Sequence, residues 1–145
     1  MATRIKDIAS TVSTPTTDDY IALDGSTSGT RKMILSDLRD TKGNVRAIPQ
    51  NSQTSAYSLA AADAGKHISI TTGGVTVPSG VFSAGDAVTI FNNSGSNQTI
   101  TQGASVTMRQ AGTANTGNRT LAQYGLCTVL CVASNTFVIT GSGLS

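Results

Sequence analysis

The stretch from Gly125 to Thr140 constrains the fold more than any other part of this chain. Its first half carries apolar side chains on both faces of an extended backbone: Leu126, Leu130 and Val132 on one face, and Cys127, Val129 and Cys131 on the other. A strand that is apolar on both faces must be covered on both, so this pattern predicts a central strand. Ser134-Asn135 favours a turn, and Phe137–Ile139 favours a returning strand. The stretch therefore predicts a hairpin at the core of the fold.

Short runs rich in β-branched residues recur before this hairpin, at intervals of about ten residues, with Gly, Ser and Asn between them. They are His67–Thr71, Val75–Val77, Asp86–Phe91, Gln98–Gln102 and Ser105–Arg109. Pro49–Ser58 is polar and is interpreted as a linker or irregular crossing, and Leu59–Gly65 favours one or two helical turns. Six to eight strands at this spacing predict a mainly β fold, an antiparallel β-sandwich or barrel.

Charge divides the chain near Ile48-Pro49. Beyond that point the only charged residues are Asp63, Lys66, Asp86, Arg109 and Arg119. The sequence thus predicts an N-terminal arm over residues 1–48 and a β-rich body over residues 49–145. Within the arm, residues 19–34 favour a small hairpin and Ser36–Asp40 a short helical turn. Such a segment buries little apolar surface, so it must dock on the body, a sister subunit or a larger assembly.

Few residues suggest chemistry. His67 is the only histidine, and it is interpreted as a surface residue at the end of a strand. Asp18 and Asp19 are adjacent, so in an extended chain they point to opposite faces and do not form a general acid/base pair. Cys127 and Cys131 lie about 13 Å apart on one strand face, too far for a disulfide, and are interpreted as buried thiols. We therefore expect neither an enzyme nor a bound metal or cofactor.

Composition also bears on partners and compartment. The formal net charge is +2, which does not favour strong binding to nucleic acid or to a membrane surface. No apolar run approaches the length of a membrane span, and Met1–Ser10 lacks the apolar core of a signal peptide. We expect a soluble protein made in a reducing cytoplasm.

Two regions resemble virion proteins of tailed bacteriophages. The run Asp-Asp-Tyr-Ile-Ala-Leu-Asp-Gly at 18–25, followed by Gly-Thr-Arg-Lys at 29–32, is similar to the N-terminal attachment segment of phage fibre and head-appendage proteins. Gly85–Asn93, Thr116–Gly125 and the closing Ala133–Leu144 resemble a small β-module of phage virion proteins. The resemblance implies an arm that anchors to the virion and a body that forms a homotrimer and projects outward. The implied attachment residues are Asp19, Tyr20, Ile21, Leu23, Asp24, Arg31 and Lys32.

The resemblance leaves two locations open. Fibre proteins usually place a long shaft after the anchor, whereas this chain ends at Ser145, which favours a capsid decoration (cement) protein. That protein would bind the major capsid protein or another virion protein on the capsid surface, after assembly in the host cytoplasm. A tail fibre, tailspike adaptor or other tail-associated protein is the alternative. A carbohydrate-binding module is disfavoured because the six aromatic residues are mostly expected in the core.

Overall fold

A computed structural model describes residues 47–145 throughout and, before them, two strands. These strands, β1 (Tyr20–Gly25) and β2 (Gly29–Ile34), pair antiparallel with Tyr20 opposite Ile34 and Gly25 opposite Gly29. A second unit spans Ile48–Ser145 and contains the remaining strands. The helical turn predicted at Ser36–Asp40 lies outside the described residues.

The first half of the body winds through six short strands that alternate between two parallel ladders. The first ladder contains β3 (Gln50–Gln53), β5 (His67–Ile70) and β7 (Ala87–Asn92), and the second contains β4 (Tyr57–Ser58), β6 (Val75–Val77) and β8 (Gln98–Gln102). Because each strand returns in the same direction one layer further along, similar side chains stack. Ile68 lies beside Ile90, and Val75 lies beside Ile100.

One long strand, β10 (Arg119–Ala133), joins the two ladders. Its residues 119–121 pair antiparallel with β8, and its residues 126–130 pair antiparallel with β7. The result is a nearly closed, barrel-like sheet in the order β3-β5-β7-β10-β8-β6-β4. β10 also forms a hairpin with β11 (Thr136–Leu144), and β9 (Thr107–Gln110) pairs parallel with β11. Asn135 adopts a positive φ of 52° in the hairpin turn, as the Ser-Asn pair predicted.

The apolar core fills the inside of this sheet. Its fully buried side chains come from both ladders and from the hairpin, among them Ile68, Ile70, Val77, Ile90, Ile100, Met108, Leu121, Phe137 and Ile139. Phe82 packs edge-on against Phe137, with ring centroids 6.1 Å apart and planes at 89°. The mainly β fold was predicted, and Phe82 reaches the core from a loop.

Two sequence-based predictions about this fold are wrong in part. The strands are not all antiparallel, because alternation of apolar residues does not encode strand direction and successive strands here enter different ladders. Pro49–Ser58 is not a linker, since it contains β3 and β4. These strands were not predicted because most of their side chains are polar. Leu59–Gly65 contains one short 3₁₀ turn, Ala61–Asp63, followed by Gly65 at a positive φ.

Candidate interaction surface

The outer face of the hairpin strand β10 is apolar and open. Leu126, Leu130 and Val132 are 48%, 39% and 45% exposed. The alternating residues Cys127, Val129 and Cys131 are buried at 1–2% exposure. The prediction that this strand is covered on both faces is therefore wrong for the single chain. The apolar core of the body covers one face of β10, and the other face is exposed to solvent.

Strand register extends this surface onto the two neighbours of β10. Directly opposite residues of an antiparallel pair share a face of the sheet. Leu126 lies between Phe91 and Ser142, Thr128 between Thr89 and Thr140, and Leu130 between Ala87 and Val138. We call these nine residues, with Val132, the open face. Phe91 and Val138 are each half-buried, so apolar rows lie on both sides of a threonine row.

The open face carries no charge. Its ten residues are Ala87, Thr89, Phe91, Leu126, Thr128, Leu130, Val132, Val138, Thr140 and Ser142. Within the threonine row, the hydroxyls of Thr89 and Thr128 lie 3.3 Å apart, within hydrogen-bonding distance. A threonine hydroxyl both donates and accepts, so this row can bond to a like row on another surface.

A bulge in β10 marks the place where the strand changes partner. The pairing with β11 shifts between Leu121 and Leu126, and Tyr124 adopts a positive φ of 56°. The fully buried Asn92 holds this bulge, since its Nδ2 donates to the carbonyl oxygens of Leu121 (3.1 Å) and Ala122 (2.8 Å). Tyr124 is 65% exposed. The expectation that aromatic residues mostly lie in the core fails for Tyr124, because the bulge turns it outward.

A buried polar cluster lies where the sheet stays open, between the end strands β3 and β4. Asp63 is 2% exposed, and its carboxylate accepts three hydrogen bonds of 2.8 Å, from Asn51 Nδ2, the Tyr57 hydroxyl and the Ala60 N–H. Asn51 also donates to the Tyr57 hydroxyl at 3.1 Å. Side-chain bonds thus connect β3 to β4, where no backbone pairing does so among the described strands.

The pKa values in this cluster follow from burial and hydrogen bonding. Burial alone raises the pKa of Asp63, but the bonds from Ala60, Tyr57 and Asn51, with the nearby Lys66, outweigh it and hold that pKa below its ordinary value. Burial, followed by the bond to Asp63, raises the pKa of Tyr57. Asp63 is therefore charged and fully bonded at neutral pH, which is typical of a structural carboxylate rather than a general base.

The other residues considered for chemistry are dispersed. His67 Nε2 lies 3.1 Å from Gln50 Oε1 in an exposed pair. Cys127 and Cys131 are free and buried, as predicted, and burial raises the pKa of Cys127 to about 12. In the part of the chain that the structure describes, no three His, Cys, Asp or Glu residues are grouped as a metal site would require.

The predicted attachment residues lie on the β1/β2 hairpin, except Asp19, which is outside the described residues. Tyr20, Ile21, Leu23 and Asp24 belong to β1, and Arg31 and Lys32 belong to β2. Register places Leu23 opposite Arg31, Ala22 opposite Lys32 and Asp24 opposite Thr30. Of the implied residues, only Leu23 and Arg31 thus lie directly opposite each other, and the other described ones lie at nearby positions of the same hairpin. The open face was missed as a site, although Leu126, Leu130 and Val132 were singled out as one apolar face of the strand.

Comparison with known proteins adds no relative: no family model, curated protein or solved structure matches this chain. Among the described residues, no helix is long and apolar enough to cross a membrane.

Proposed function

We propose that this protein is a structural subunit of a bacteriophage particle, a homotrimeric capsid decoration protein that binds and stabilises the capsid surface through its N-terminal arm. The observation that carries the proposal is the open face. A single chain that leaves three neighbouring apolar side chains of its most central strand at 39–48% exposure has a surface suited to association. The buried Asp63 carboxylate, by contrast, is fully bonded within the chain.

The arm provides the second part of the proposal. It contains the β1/β2 hairpin, and it attaches through Asp19, Tyr20, Ile21, Leu23, Asp24, Arg31 and Lys32. The support is the resemblance of residues 14–38 to phage attachment segments, together with the antiparallel pairing of Tyr20–Gly25 with Gly29–Ile34, which contain all of these residues except Asp19. A strand such as β1 can add to an exposed sheet edge of a virion protein. Three arms on one trimer bind multivalently, so weak single contacts suffice.

The alternative location is the tail, as a fibre, tailspike adaptor or other tail-associated protein. In both locations the arm and the oligomeric body have the same roles. The two locations differ in the virion protein that the arm binds. Gold-labelled antibody against this protein, viewed on intact particles by electron microscopy, separates them. Label over the head supports decoration, and label confined to the tail supports the alternative. Absence of label from both overturns the phage assignment.

Charge reversal in the arm tests attachment within the full chain. Arg31→Glu with Lys32→Glu is expected to leave the oligomer intact and to reduce binding to particles that lack the protein, as measured by co-sedimentation. Thr99→Glu, which adds a negative charge on the exposed side of β8, is the control and should bind as the wild type does. Removal of residues 1–40 should abolish binding and leave a folded oligomer. Normal decoration by the truncated chain would contradict the role of the arm.

A further inference from the structure

We propose that the open face is the surface through which copies of this chain pack against one another, sheet upon sheet. The inference rests on the proposed function only for the number of copies, three. The surface itself is identified by its residues, which lie on β7, β10 and β11.

The size of the face indicates what kind of surface covers it. Three strands about 4.8 Å apart, and the six intervals of about 3.4 Å between residues 126 and 132, describe a footprint of about 14 by 20 Å, or on the order of 300 Å². A single extended segment covers about one third of that width. The sheets of neighbouring copies, packed about 10 Å away, cover all of it.

The same estimate places the open face at the centre of a larger contact. A stable interface buries about 800 Å² on each partner, with an apolar centre and a polar rim. The open face supplies the centre. Thr107 and Arg109 on β9 continue the sheet beside Thr136 and Val138 of β11 and provide a polar rim. Tyr124, 65% exposed at the bulge, adds an aromatic side chain of the type enriched at interfaces.

Charge indicates that the occupant is a copy of this chain. In a trimer whose open faces point toward the three-fold axis, residues near the axis come close to their own counterparts, so a charged face would repel itself. The ten residues of the open face carry no charge. Its threonine row can bond to the threonine row of a copy, while its leucine and valine rows meet apolar partners. A partner recognised through charge would find no complementary group on this face.

Light scattering coupled to size-exclusion chromatography tests the inference on the full chain over a range of concentrations. The wild type is expected to elute as an oligomer. Leu130→Asp is expected to weaken association by at least about 100-fold, because it places like charges together in an apolar contact. Its circular dichroism should match the wild type, since Leu130 faces outward. Leu126→Lys is a second variant of the same face, for use if Leu130→Asp fails to fold.

Two controls separate the face from general effects of added charge. Thr99→Asp places a charge on the exposed side of β8, outside the open face, and should leave the oligomer unchanged. Val129→Asp places it on the buried side of β10 and should abolish the folded spectrum. A monomeric wild type at every concentration would overturn the inference, as would folded Leu130→Asp and Leu126→Lys variants that associate as tightly as the wild type.

The two proposals fail separately. Particles without label, alongside an oligomer that Leu130→Asp dissociates, would refute the phage assignment and support the packing surface. Labelled particles, alongside an oligomer that the open-face variants leave intact, would support the assignment and refute this surface.

Discussion

Replacement of Asp63 by Asn tests whether the buried cluster between β3 and β4 stabilises the fold. Asn has nearly the shape of Asp, so the change removes a charge and one acceptor without opening a cavity. The wild-type carboxylate accepts from three donors, Asn51, Tyr57 and the Ala60 N–H. One amide oxygen can keep the bonds from Tyr57 and Ala60. The amide NH₂ group then faces the NH₂ group of Asn51, and two donors meet without an acceptor.

The structure allows the size of this effect to be worked out. A hydrogen bond to a charged group contributes about 1.5–3 kcal/mol, and a neutral bond about 1 kcal/mol. The variant loses the bond from Asn51 and converts two charge-assisted bonds to neutral ones. We expect the free energy of unfolding to fall by about 3 kcal/mol. That is a large fraction of the roughly 5–15 kcal/mol that stabilises a domain.

Asp86→Asn is the matched control. Asp86 Oδ2 accepts from the Ser83 N–H at 2.8 Å, the same bond to the third preceding residue that Asp63 Oδ2 accepts from Ala60. Asp86 has no counterpart of Asn51 or Tyr57 among its described hydrogen bonds, and its side chain is only half-buried. We expect its replacement to cost under about 1 kcal/mol. The difference between the two variants measures the bonds across the opening of the sheet.

Urea unfolding followed by far-ultraviolet circular dichroism provides the assay, with all chains at one concentration because association contributes to stability. The double variant with Tyr57→Phe completes a thermodynamic cycle, and we expect a coupling of about 1–2 kcal/mol. The pKa of Asp63 is lowered in the folded state, so its contribution is present above its ordinary pKa and lost as the pH falls through the folded value. The difference in the free energy of unfolding between wild type and Asp63→Asn should therefore become smaller in acid. Equal decreases in the free energy of unfolding for Asp63→Asn and Asp86→Asn would refute the claim that the bonds across the opening of the sheet stabilise the fold.

Two further predictions concern the core. Gly74 (φ +71°) and Gly80 (φ +72°) share a backbone conformation, but an added Cβ at Gly74 would meet the Thr99 carbonyl oxygen whereas at Gly80 it would meet nothing within 4 Å. Gly74→Ala should therefore destabilise the protein by about 1–3 kcal/mol more than Gly80→Ala in the same urea assay, and equal losses would contradict the close packing at Gly74. The Cys127 thiol, with a pKa raised to about 12, should react with a disulfide reagent at pH 8 roughly 1,000-fold more slowly in the folded protein than in denaturant. If both cysteines of the folded protein reacted as fast as they do in denaturant, the burial of Cys127 would be contradicted.

The sequence contains enough information to locate most strands of the body. Val75–Val77 and Gln98–Gln102 agree with the structure residue for residue, because a proline or a polar loop bounds each run. The direction of pairing was not predictable in the same way. Gly73-Gly74 forms the corner between β5 in one ladder and β6 in the other, where the N–H of Gly74 donates to Gln98 Oε1 at 3.0 Å. The need for glycine comes from the neighbouring layer rather than from a hairpin.

The polar strands show a second limit of sequence reasoning. β3 reads Gln-Asn-Ser-Gln, a composition typical of a loop. Its pairing with β5 is set by the neighbouring ladder, and its inward side chain, Asn51, bonds to Asp63. Asp63 lies 12 residues further along the chain, in a segment that seemed merely helical. Contacts of this kind depend on the completed fold, so local pattern did not predict the cluster.

The apolar side chains of the open face were recognisable in the sequence, but they were wrongly expected to be buried within the fold. Alternation showed that β10 is apolar on both sides, and the inference that both sides must be covered remains physically sound. Between residues 126 and 132, the core of the single chain covers Cys127, Val129 and Cys131. The side that carries Leu126, Leu130 and Val132 therefore stays exposed in the folded chain, and it is association that would bury it. Because these two sets alternate along one strand, the geometry that completes the barrel also fixes the positions of the side chains that a second copy would meet.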